Sequence, residues 1–163
     1  MTTKNRSVEQ RLLELEDREA IRQVICGYGY AVDGCNAEAV GSCYTEDGIY
    51  AVGDMEPFVG RATVEAITRD EGHLGLVAGG VAHMSTPPYI VIDGDSAVAT
   101  CHTMVPRHGE NGFSIFRLSA SRIRLGRQAD GNWKIVHRQN WLLDGAPEGP
   151  QMLARLKQVA DDA

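Results

Sequence analysis

The chain has 163 residues, 43% of them hydrophobic, and a formal net charge of −6. That length and apolar content suffice for one compact domain with its own core and little more. The acidic balance argues against nucleic acid or an anionic membrane surface as partner, since either would repel most of such a surface, and leaves a small molecule as the expected ligand. Cys26, Cys35, Cys43 and Cys101 lack CxxC spacing, and the polar start Met1-Thr-Thr-Lys-Asn-Arg6 has no apolar signal core. These features predict a reduced, cytoplasmic protein. No apolar run approaches the roughly 20 residues that cross a bilayer.

In chain order, Val8 to Val32 reads as a helix, with Ile21, Val24, Ile25, Tyr28 and Val32 on one apolar stripe and Gly34 as its stop. Asn36 caps a second helix from Ala37 through Tyr44, which ends in the turn Glu46-Asp-Gly48. Ile49 to Val52 follows as a strand, and Phe58-Val-Gly-Arg61 leads into a third helix from Ala62 to about Arg69. The glycine-rich stretch 72–80 has no period and reads as a loop, a candidate lid. Four strands then follow, Val81 to Ile92, Ser96 to Val105, Phe113 to Leu125 and Trp133 to Leu143, punctuated by Asp93-Gly-Asp95 and Ala129-Asp-Gly131 as in an antiparallel meander. Gln151 to Val159 forms a weakly striped last helix. Helices first and a meander afterwards predict α+β, a single domain over 1–163 with its core at about 8–144 and a C-terminal extension at 145–163.

This order of elements resembles the SnoaL-like branch of the NTF2-like superfamily over Leu12 to Asp144. The resemblance is carried by Leu15-Glu-Asp-Arg-Glu-Ala-Ile21, the segment Tyr30 to Asp33, Phe58-Val-Gly-Arg61 and Asp130-Gly-Asn-Trp-Lys-Ile135. It implies a cone of curved antiparallel sheet wrapped around the N-terminal helices, with one deep pocket. The superfamily hosts dehydratases, isomerases, cyclases, epoxide hydrolases and binding domains, so the fold alone implies no reaction.

Within that branch the chain resembles scytalone dehydratase and hexachlorocyclohexane dehydrochlorinase, eliminating enzymes built on an Asp–His pair. The likeness implies Asp33 and His83 as the catalytic residues, the imidazole as general base and the carboxylate as its orienting partner. The alternatives are a turn or cap role for Asp33 beside Gly34 and a packed strand histidine for His83. Tyr30, three residues before Asp33, is expected to face the pocket, with Tyr28 on the apolar stripe opposite. The same resemblance places Tyr50 on a substrate-holding tyrosine, whereas Val32 stands where the dehydratase has another tyrosine. It places His108 on a second catalytic histidine, or Arg107 there if the strands are aligned on Val105-Pro106. Arg122 takes the position of a polar pocket residue, where a guanidinium would bind an enolate, phenolate or carboxylate oxygen. With Arg117, Arg124 and Arg127 it equally fits an exposed basic strand. His102 shares a face with Val98, Thr100 and Met104, either as pocket wall or as packed strand.

The last strand, in which Trp133, Ile135, His137, Gln139 and Trp141 alternate with Lys134, Val136, Arg138 and Asn140, reads as core or oligomer surface rather than site. No HxH, HxxxH or facial-triad spacing and no Gly-rich phosphate loop is present, so neither a metal nor a cofactor is expected. The resulting expectation is a cofactor-independent lyase that eliminates water or another small group from a cyclic, apolar substrate, working as a homo-oligomer, dimer or trimer. Its rivals are an isomerase or polyketide-type cyclase with Asp33 itself as base, and a non-catalytic ligand-binding or assembly domain.

Overall fold

A computed structural model describes residues 6–159, so Met1 to Asn5 of the polar start and residues 160–163 of the extension lie outside the described residues. Helix α1 (Val8–Asp33) opens with a reciprocal cap: Ser7 Oγ accepts from the Gln10 amide at 3.1 Å, and Gln10 Oε1 accepts from the Ser7 amide at 3.0 Å. Its stripe is buried at Ile21, Ile25, Tyr28, Ala31 and Val32. The Gly34 amide donates back to Tyr30 and closes the helix at Asp33.

Helix α2 (Ala37–Ser42) has the expected Asn36 cap but ends before Tyr44. Tyr44 instead opens strand β1 (Tyr44–Val52), fully buried with its ring 5.8 Å from that of Tyr28. Burying a large aromatic outweighs the small helical preference of one residue. A short strand β2 (Phe58–Val59) and helix α3 (Arg61–Ile67) follow.

Residues 72–80, read from sequence as a loop, lie largely in a helix, α4 (Glu71–Ala78). Asp70 caps it by accepting from the Gly72 amide at 2.9 Å, and His73 ties it to α1 by donating from Nε2 to the Val32 carbonyl at 3.0 Å. A cap and a tertiary tether here outweigh the helix-weakening glycines. The expected strand Val81 to Ile92 is also corrected. Pro87-Pro88 cannot supply ladder donors, so the segment divides into β3 (Met84–Ser85) and β4 (Tyr89–Asp93).

Strands β5 (Ser96–Gly109), β6 (Gly112–Arg127) and β7 (Trp133–Leu142) form the meander, and helix α5 (Glu148–Ala154) follows it, starting earlier than expected and ending before Val159. The sheet order is β2-β1-β7-β6-β5-β3, with β4 also on β5. Every pairing is antiparallel except that of β1 with β7, which run parallel. The meander is therefore closed by the first strand of the chain lying beside the last. Ile21 and Ile25 of α1 pack with Ala99, Cys101, Ile123 and Ile135 of the sheet to form the core. This is an α+β fold, a curved sheet enclosing its N-terminal helices.

Candidate active site

Asp33 is the last residue of α1, and His83 lies on the irregular segment just before β3. Gly29 makes their approach possible, because a Cβ at that position would stand 2.5 Å from the His83 carbonyl oxygen. With the helix seated that closely, Asp33 accepts twice from one residue. Its Oδ2 receives the His83 backbone amide at 2.8 Å and its Oδ1 receives the ring Nδ1–H at 2.6 Å. This arrangement assigns the proton to Nδ1 and leaves Nε2 as the ring's acceptor. Burial holds the imidazole below the usual histidine value, with Arg117 and His73 pushing the same way, against the hydrogen bond and charge of Asp33, which raise it. The balance favours the neutral ring.

His83 lines an interior cavity of about 220 Å³ between α1, α3, α4 and the sheet. Val40, Phe58, Val64 and Leu76 supply apolar wall, and His73 of α4 lies over it with its ring 6.0 Å from that of His83. Tyr50 also lines the cavity, stacked on Phe58 with ring centroids 5.9 Å apart. Asn140 Nδ2 donates to the Tyr50 hydroxyl at 3.4 Å. Asp33 itself does not line this cavity. It borders a second hollow, of about 290 Å³, which His83 also lines together with Cys26 and Tyr30.

Residues 13–139 match the model of the SnoaL-like domain. The chain belongs to that family. A solved NTF2-like protein with a cystatin-like fold from Novosphingobium aromaticivorans is 38% identical, with 91% of this chain and 98% of that one covered and a TM-score of 0.86. A proposed scytalone dehydratase from the same organism shares the fold at 17% identity, 81% and 87% coverage and a TM-score of 0.66. A ketosteroid isomerase-like protein from Erwinia carotovora atroseptica does so at 16% identity, 79% and 98% coverage and a TM-score of 0.60. No curated protein matches the chain.

The SnoaL-like cone gathers fewer of the anticipated side chains than the resemblance implied. Tyr30 is 80% exposed on the outside of α1, and Tyr28 is the tyrosine that enters the cavity lining. The stripe facing the core is also the stripe facing the cavity, because the cavity is a gap in that core. His102 is exposed on the outer face of β5, where its backbone amide donates to Thr86 Oγ1. Arg107 and His108 lie near the β5–β6 tip, His108 against Phe113 and Arg107 over Phe116, and neither lines the cavity. Arg122 is on the outer face under α5, donating to the carbonyls of Arg155 and Gln158. In β6 the inward positions are Ser119, Ser121 and Ile123, and strict alternation sends Arg122 outward.

The residues missed from sequence are Tyr28, His73, Arg117, Arg138 and Asn140, all in the cavity lining. Arg138 and Asn140 were obscured by a β-bulge. Arg124 pairs with His137 and Leu125 with Ile135, so Val136 is an extra residue on β7. Buried positions switch there from Trp133 and Ile135 to Arg138 and Asn140. The only sequence signal was the polar run His137-Arg-Gln-Asn140 between two tryptophans. Among the described residues no three His, Cys, Asp or Glu side chains gather in a manner that could hold a metal ion.

Proposed function

We propose that the protein is a cofactor-independent lyase in which His83 is the general base and Asp33 its positioning partner. The observation that carries this reading is the double acceptance by Asp33, which fixes the imidazole tautomer and leaves Nε2 for a ligand in the cavity. In the reaction, Nε2 takes a proton from a carbon next to an activating carbonyl. The C–H electron pair becomes the new double bond, and the leaving group departs from the neighbouring carbon with its own bonding pair. Asp33 stabilises the imidazolium that forms.

The cavity supports a small cyclic substrate, since an apolar hole of roughly 150 Å³ already accommodates one benzene ring. An isomerase with Asp33 as direct base is less well supported, because both carboxylate oxygens are engaged by His83. A filled assembly domain is less well supported as well, given the open interior.

A screen of β-hydroxy and β-halo cyclic ketones for elimination supplies the assay. His83→Ala and Asp33→Asn are each expected to lower kcat by about 10²–10⁴. Because the two residues act as one unit, the double variant should lose little beyond either single one. Additive losses, or full turnover in Asp33→Asn, would refute the paired-base mechanism. A rate kept in His83→Ala but lost in Asp33→Asn would turn the reading to the isomerase.

A further inference from the structure

Arg138 is 5% exposed, and among the described residues no carboxylate lines the cavity with it. Its guanidinium lies 4.5 Å over the ring of Tyr28 and 5.8 Å from that of Tyr50, held by aromatic faces rather than by an ion pair. Among the described residues its buried Nε and Nη1 have no hydrogen-bond partner, and neither has the neighbouring Asn140 Oδ1. Arg117 adds a second guanidinium to the cavity lining, which among the described residues contains no aspartate or glutamate.

An arginine in such a place keeps its charge at every accessible pH. Burying a charge without a partner is costly, and ring faces offset only part of that cost. A neutral ligand would leave the charge uncompensated. An anionic oxygen in the cavity would supply the missing countercharge.

Resting on the lyase reading for the site but not on its base, we propose that the cavity is built for an anionic substrate, a small ring bearing a carboxylate or phenolate oxygen that Arg138 receives. In this arrangement Arg138 fixes one end of the ring and His83 acts elsewhere on it. The apolar wall selects the ring, and the guanidinium selects the charge.

The test is calorimetric titration of the full chain at about pH 8, where histidine is neutral and benzoate ionised. The probes are benzoate and 4-nitrophenolate, compared with neutral benzamide. Wild type should bind benzoate at least about ten-fold more tightly than benzamide, a difference of roughly 1.4 kcal/mol. Arg138→Met should remove that preference. Arg138→Lys, which keeps the charge but not the fork, should retain part of it, and it serves as the second variant should the methionine protein not fold. His83→Ala should keep the preference, so failure of the base mechanism and failure of this proposal are distinguishable. The proposal is overturned if no anionic probe binds at millimolar concentration, or if benzamide matches benzoate in wild type. It is also overturned if the preference survives in Arg138→Met or is lost only in Arg117→Met.

Discussion

Arg138 and Arg122 are on neighbouring strands of the same sheet, where Arg122 is paired with Gln139, yet they lie in opposite worlds. Arg122 is on the outer face and donates to the carbonyls of Arg155 and Gln158, so its charge is hydrogen-bonded within the chain. Arg138 is on the inner face with two ring faces beside it and two nitrogens unpartnered. The difference teaches that residue type alone does not make a ligand site. The inner arginine is under-satisfied by the described residues, whereas the outer one donates to carbonyls of the C-terminal segment.

The sharpest way to break this contrast is to alter each face in turn. His83→Ala on the inner face should cost about 10²–10⁴ in kcat. Arg122→Ala on the outer face should leave kcat within a factor of about two. Comparable losses from the two, measured in one elimination assay, would show that the faces are not functionally separate.

Next in size is Gly29→Ala. Its Cβ would meet the His83 carbonyl at 2.5 Å and must push α1 and the His83 segment apart. Stability should fall by about 1–3 kcal/mol. Activity should fall by on the order of 10²-fold, because about 1 Å of misplacement in a catalytic group costs that much. Chemical denaturation together with kcat measurement checks both. A variant that is destabilised yet fully active would mean that the close approach serves packing alone.

The titration of His83 gives a smaller effect with a definite sign. Its folded value is held below the ordinary histidine value of 6.5, chiefly by burial, so the folded protein binds fewer protons there than the unfolded chain. The contribution to stability is full above the unfolded value and is lost as pH falls from 6.5 towards the folded value. In Asp33→Asn the charge that raises the imidazole value is removed, so the midpoint should move lower still. NMR titration of the His83 ring in both proteins measures it, and an upward shift in the variant would contradict the role assigned to Asp33.

The smallest effect is expected from Arg122→Ala on stability, about 1 kcal/mol from lost hydrogen bonds to backbone carbonyls. Hydrogen exchange should report it as faster exchange at 155–158 with the cavity lining unchanged. Loss of protection around Tyr50 and Arg138 instead would join the two faces that the structure separates.

Much of the fold was legible because it depends on local patterns. The stripe Ile21, Ile25, Tyr28 and Val32 follows the helical period, Asn36 announces its cap, and Asp93-Gly-Asp95 marks a tight turn. Helix α4 was not legible, since its glycines argue against it and its tether to Val32 crosses 41 residues of chain. The pair Asp33 and His83 was visible only through family resemblance, because the 50 residues between them hide the contact from any periodic pattern.

The order of elements and the types of side chain available follow from the chain's local patterns, because helix stripes, caps and turns act over a few residues. Which side chains line the cavity was settled by long-range packing. One extra residue at Val136 turns Arg138 and Asn140 inward, strand alternation turns Arg122 and His102 outward, and the gap left in the core places Tyr28 rather than Tyr30 in the cavity lining. Those outcomes depend on strand register and on the space between packed elements, which are set by contacts between residues far apart in the chain.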